Sequence, residues 1–113
     1  MIKIYHNPRC SKSRQALAFL EEAKVDFEII KHLDSPLTSS DLKKLINKIG
    51  IKPLELIRKN EAIWKENFKG KTLTDDQIVE AMVLYPKLIE RAIVEKGEKA
   101  VIARPIETIK TIL

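Results

Sequence analysis

The chain has 113 residues, 44% hydrophobic and 33% charged, which fits one water-soluble globular domain spanning 1–113. A single cysteine excludes an internal disulfide and fits a reducing, cytoplasmic setting, and the longest apolar run, Ala16 to Leu20, is too short for a membrane span or a signal peptide. The formal charge of +5 points to an anionic partner, but 5% aromatic content and scattered lysines argue against direct nucleic-acid binding.

Ile2-Lys3-Ile4-Tyr5 alternates apolar and polar and predicts a strand. Ala16, Leu17, Leu20 and Ala23 recur at helical spacing, so a helix begins near Ser11 or Lys12. Asp26 to Ile30 predicts a second strand, and a strand–helix–strand unit of this length implies parallel pairing through a right-handed crossover. Leu33 to Leu37, with Pro36, reads as a loop. Thr38 to Asp41 fits a capping box before a helix whose Leu42, Leu45, Ile46 and Ile49 share one face and which ends at Gly50.

Pro53 opens a short helix carrying Leu54 and Ile57 and ending near Arg58-Lys59-Asn60. Glu61 to Asn67 adds a helical turn or two, and Phe68 to Leu73 is a loop. Thr74 and Gln77 make a second capping box, ahead of a helix that buries Ile78, Val79, Met82 and Val83 and stops before Pro86. Ala92 to Glu95 and Ala100 to Ala103 flank Lys96-Gly97-Glu98-Lys99 as an antiparallel hairpin. Pro105 starts a last helix with Ile106, Ile109 and Ile112/Leu113 facing inward. The order implies an α/β, thioredoxin-like fold: a mixed four-stranded sheet with a helical insertion, about 38–84, between βαβ and ββα halves.

The chemistry concentrates at the one cysteine. Cys10 falls in the strand-to-helix turn, where unpaired N–H groups and the positive end of the helix dipole favour an anion. Arg9, Lys12, Arg14 and a protonated His6 would add positive charge, and no acid precedes Glu21. These surroundings favour thiolate over thiol. A lone cysteine is more often a small buried hydrophobe, but Pro8-Arg9 before it and Ser11-Lys12-Ser13-Arg14 after it are no apolar pattern. Ser13, one helical turn on, either donates a hydrogen bond to the thiolate or is an ordinary first-turn residue. His6 either supports the sulfur and its proton transfers or is a hydrogen-bonded histidine at a strand end.

Spacing excludes several competitors. A cysteine-phosphatase loop would place arginine six residues after the nucleophile, where Ala16 stands. The dithiol C-x-x-C is replaced by Cys10-Ser11-Lys12-Ser13. Cys10, His6 and His32 lack a recognised zinc spacing, and no glycine-rich phosphate loop occurs. What survives is a single-thiol enzyme, with no bound cofactor or metal, that draws reducing equivalents from outside.

His6-Asn7-Pro8-Arg9-Cys10-Ser11-Lys12-Ser13-Arg14 closely resembles the H-N-P-x-C-x-x-S-R motif of the glutaredoxin-coupled arsenate reductase (ArsC-type) family. The similarity continues through Leu56-Ile57-Arg58-Lys59-Asn60, Leu73-Thr74-Asp75-Asp76-Gln77, Leu88 to Val94 and Ala103-Arg104-Pro105, and so covers nearly the whole chain. The resemblance implies reduction of arsenate to arsenite, with Cys10 as nucleophile and Arg58, Arg91 and Arg104 as oxyanion ligands. Guanidinium forks suit a tetrahedral oxyanion. It also implies that a thiol–arsenate adduct is resolved by glutathione, with glutaredoxin as the next thiol donor.

The family's proline after the second arginine is Ala92 here. Because a cis non-proline peptide costs about 2.5–4 kcal/mol, the Arg91–Ala92 bond is expected to be trans. Two other readings fit the same fold family: an Spx-like transcription regulator that binds RNA polymerase, whose switch usually uses the C-x-x-C absent here, and a glutaredoxin-like thiol transferase.

Overall fold

A computed structural model describes residues 2–7, 9–32, 37–68, 70–90 and 92–113. The chain divides into two units, residues 1–35 with 91–113, and residues 36–90.

The first unit is built on a four-stranded mixed sheet in the order β2-β1-β3-β4, with β1 Ile2–Tyr5, β2 Phe27–Ile30, β3 Ile93–Lys96 and β4 Lys99–Ile102. β1 runs parallel to β2, with Ile2 opposite Phe27 and Tyr5 opposite Ile30, and antiparallel to β3. The crossover between the parallel strands is α1, Ser11–Glu22. This is the thioredoxin-like arrangement implied by the element order. Period-two residues Ile2 and Ile4 share a core with Ala16 and Leu20 of α1, spaced i, i+4, and with Val94, Ile109 and Ile112. Each fully buried aliphatic side chain of this kind stabilises the unit by about 1.5–3 kcal/mol.

Two details of this unit differ from expectation. The hairpin connection narrows from four residues to Gly97-Glu98, because Lys96 and Lys99 still pair across the strands. Gly97, at φ 60, takes the positive dihedral that a two-residue turn requires. The last helix is a 3-10 segment, Ile106–Thr111, rather than an α-helix. Its isoleucines at 106, 109 and 112 recur every three residues, the 3-10 period, while Leu113 falls off that face and is 41% exposed.

In the second unit, α2 Ser39–Ile49 and α4 Asp75–Leu84 pack together, with α3 Ala62–Asn67 between them in the chain. Thr38 caps α2, its Oγ1 accepting from the Asp41 N–H, and Gly50 closes the helix in the left-handed conformation at φ 81. The capping box of α4 forms in full: Thr74 Oγ1 accepts from the Gln77 N–H, and Gln77 Oε1 accepts from the Thr74 N–H. Thr74→Ala is therefore expected to lower unfolding free energy by ~1 kcal/mol, read as a shift of the urea midpoint at unchanged slope.

The Pro53 element is a 3-10 turn, Pro53–Leu56, shorter than expected. Leu54 is 39% exposed, and Leu56 and Ile57 take the buried places, because the chain becomes extended at Ile57 to bridge antiparallel to Ile89. On α4 the buried set is Ile78, Val79, Ala81 and Met82, with Val83 only half-buried. That helix packs on α2, on the Pro53–Leu56 turn and on a second 3-10 turn, Pro86–Leu88, which widens its buried arc toward Ala81. Trp64, Phe68 and Tyr85 form an aromatic row, with centroids 5.5 and 6.1 Å apart. Residues 33–36 of the Leu33–Leu37 loop lie outside the described residues. Among the described residues no helix is long and apolar enough to cross a membrane.

Candidate active site

Cys10 is the N-cap of α1, at φ −98 and ψ 123, as the switch from strand to helical periodicity predicts. Its side chain makes no capping hydrogen bond, and the residue is partly exposed. The sulfur therefore sits at the end of the helix where N–H groups are unpaired by helical bonding, without being consumed in satisfying them. The first turn of α1 carries no acid.

Asn7 organises the turn that leads to Cys10. Its N–H donates to Ser13 Oγ at 3.3 Å, its side-chain Oδ1 accepts from the Arg9 N–H at 3.0 Å, and its main-chain carbonyl accepts from the Cys10 N–H at 3.0 Å. The Cys10 carbonyl then accepts from the Arg14 N–H at 3.0 Å, the first bond of the helix. Ser13 is fully buried, and its described contact is structural: it tethers Asn7 to the first turn.

His6 continues the strand by one bond, its N–H donating to the Ile30 carbonyl at 2.8 Å. The residue is 5% exposed. Burial, with smaller contributions from Lys31 and Arg14, pushes its pKa below 6.5, and the Ser13 main chain acts in the opposite direction. The expectation of a protonated His6 adding positive charge is thus corrected. At neutral pH it is a neutral imidazole, suited to proton exchange rather than to electrostatic support. His32, 1% exposed, is pushed further, to about 4, by burial and then by the charge of His6.

The three arginines have different settings. Arg58 lies in the second unit, where its main chain joins the Ile57–Ile89 bridge: its N–H donates to the Leu88 carbonyl, and the Glu90 N–H donates to the Leu56 carbonyl. The guanidinium lies between two carboxylates, with Nη1 3.1 Å from Glu61 Oε1 and Nε 3.5 Å from Glu90 Oε1. Arg104, in the first unit with Cys10, is exposed; it follows β4 and precedes a cis peptide to Pro105. Arg91, and with it the expected trans bond to Ala92, lies outside the described residues. Among the described residues, no group of three or more His, Cys, Asp or Glu side chains is placed to hold a metal ion.

The ArsC family model matches residues 5–112. An arsenate reductase of Neisseria meningitidis is 41% identical over 114 residues, covering 99% of this chain and 97% of that one. The chain belongs to the ArsC family. An Escherichia coli arsenate reductase is 35% identical, covering 99% of this chain and 80% of its own length. The solved structure of an arsenate reductase from Vibrio cholerae superposes with a TM-score of 0.95 at 39% identity, covering 99% and 97% of the two chains.

Within this ArsC-family chain, Asn7, His32 and Glu90 were missed by sequence reasoning. Asn7 had a usable signal, since an asparagine two residues before an exposed N–H favours an Asx turn. Glu90 and His32 had none, because their roles depend on neighbours brought close by the sheet and the Ile57–Ile89 bridge.

Proposed function

We propose that this protein is a thiol-dependent arsenate reductase in which Cys10 is the nucleophile. The observation that carries the reading is the lone Cys10 at the N-terminus of α1, in a turn fixed by Asn7 and Ser13, with its sulfur left out of the capping. The arsenate reductases among its relatives, similar over nearly the full length of this chain, support the choice of oxyanion.

The Cys10 sulfur attacks arsenic and an oxygen leaves as water, giving a Cys10–S–As(V) adduct. Glutathione then supplies the second thiol. The two sulfurs become a mixed disulfide, two electrons pass to arsenic, and arsenite departs. Glutaredoxin next takes the glutathione from Cys10 by thiol–disulfide exchange, which restores the free thiol. The external donors are needed because the chain has no second cysteine to resolve the disulfide. In this reading the neutral His6 exchanges the proton needed for the leaving oxygen, and Arg58, Arg91 and Arg104 bind the oxyanion. Glu61 and Glu90 fix the Arg58 fork in place before substrate arrives, at the cost of offsetting part of its charge.

The test has two arms. Arsenite is expected to form in many turnovers when protein, arsenate, glutathione and glutaredoxin are all present, to fall to the blank without glutathione, and to stop near one arsenite per protein molecule without glutaredoxin. Arsenate alone is expected to slow alkylation of Cys10 by iodoacetamide, measured by mass spectrometry of the intact protein. An absence of arsenite in the complete mixture would overturn the assignment.

A further inference from the structure

We propose that His32 is a positioning residue for the Cys10 turn: its buried ring fixes the tautomer of His6 through one ordered water shared by the two imidazoles. The inference rests on the reading above for its place in the reaction, but its test does not depend on turnover.

The sheet brings the two histidines to the same end of adjacent strands. β1 and β2 are parallel with Tyr5 opposite Ile30, and the His6 N–H extends the ladder to the Ile30 carbonyl. His6 thus leaves β1 immediately, and His32 leaves β2 two residues on. Both residues are more than nine-tenths buried. A buried histidine normally has both ring nitrogens satisfied. Here His6 Nδ1, His32 Nδ1 and His32 Nε2 have no hydrogen-bond partner.

Leaving a buried donor or acceptor unsatisfied forfeits its hydration with nothing in return. Three such orphans within two side chains at one sheet end call for a shared solution. The charge of His6 also contributes to lowering the His32 pKa, in keeping with their shared sheet end, whereas Lys31 and Arg14 act on His6.

Two neutral imidazoles offer one donor and one acceptor each, and a water offers two of both, so one water can bridge one nitrogen of each ring and satisfy two of the three orphans. The His32 N–H donates to the water and the water donates to His6 Nδ1. His6 then carries its proton on Nε2, since the tautomer of a histidine follows the bond made by its other nitrogen. A phenylalanine or leucine at 32 would fill the same space without this effect.

The experiment is long-range 1H–15N correlation of the histidine rings in the full-length, uniformly 15N-labelled protein at pH 7.5. In wild type, His6 is expected to be the pure Nε2–H tautomer, with a His32 ring N–H protected from exchange and a cross-peak to long-lived water. His32→Phe is expected to lose that signal and move His6 to averaged two-tautomer shifts. His32→Gln, which keeps a donor and an acceptor, is expected to retain the wild-type His6 pattern.

If His32→Phe does not fold, the wild-type and His32→Gln spectra decide. A tautomer mixture or an Nδ1–H form of His6 in wild type overturns the proposal, as does an unchanged His6 pattern in folded His32→Phe. Arsenite formation on the same samples separates the two ideas. A wild type that makes no arsenite but shows the expected tautomer retires the reductase reading and leaves the His32–His6 coupling in place.

Discussion

Cys10→Ser protein is expected to form no arsenite above an enzyme-free blank, and to unfold in urea at a concentration no lower than wild type. The two halves of this expectation have opposite causes. A serine hydroxyl is not ionised near neutral pH, and it cannot form the mixed disulfide through which two electrons reach arsenic. Turnover is therefore lost in kind and not merely slowed. The fold, by contrast, uses only the main chain of Cys10: its N–H donates to Asn7, and its carbonyl accepts from Arg14. Because position 10 is the N-cap of α1, serine there can accept from a first-turn N–H that the cysteine leaves alone.

The gain from that cap is expected to be a few tenths to ~1 kcal/mol. Retained arsenite formation by a folded Cys10→Ser protein would remove the nucleophile from the proposed mechanism. Replacing an arginine is less decisive, because Arg58 already shares its charge with Glu61 and Glu90.

The parts of this molecule that could be read in advance are those whose cause is local. Thr38, Gly50 and Thr74 mark helix ends by chemistry that needs only three or four neighbouring residues, and the ends fall where those residues stand. Alternation in Ile2 to Tyr5 is enough to place β1, and the change to helical spacing after it is enough to place Cys10 at a cap. The end of α1 carries no such mark. Its turn is made by Lys24 at φ 57, a conformation for which glycine would have been the expected residue.

The supporting groups of the candidate site were hidden for the same physical reason. Glu90 meets Arg58 because the Ile57–Ile89 bridge carries it there, and no periodicity links the two positions. Ser13 reads from the sequence as a donor to the thiolate or an ordinary first-turn residue, and its link to Asn7 exists only once the turn folds back on the helix. The place of Cys10 at a helix cap was legible, whereas the groups around it depend on tertiary contact.

His32 provides the second large effect, a loss of stability in mild acid. Its pKa is about 4 in the folded protein against 6.5 for an unhindered histidine, mainly because burial disfavours the charged ring. Between those values the unfolded chain binds a proton that the folded chain refuses. The slope of unfolding free energy against pH is then positive, and stability falls as pH falls. Above 6.5 the full stability is present. It is lost progressively down to about 4, and below that pH both states are protonated and this contribution stops changing.

The total is about 3 kcal/mol, a large share of the ~5–15 kcal/mol typical of a small protein. His6, also pushed down by burial, adds a contribution of the same sign. The measurement is urea unfolding at several pH values from 7.5 to 4 for wild type and His32→Phe. Losing the packing of the ring shifts stability by an amount that does not depend on pH, whereas losing its titration changes the slope, so the comparison of slopes isolates that titration from those of the carboxylates. Wild type is expected to lose stability more steeply than His32→Phe between about pH 6.5 and 4, and in parallel with it above that window. Parallel curves for the two proteins inside the window would show that the ring at position 32 is not held neutral by the fold, and with it would go the buried imidazole pair on which the ordering of His6 depends.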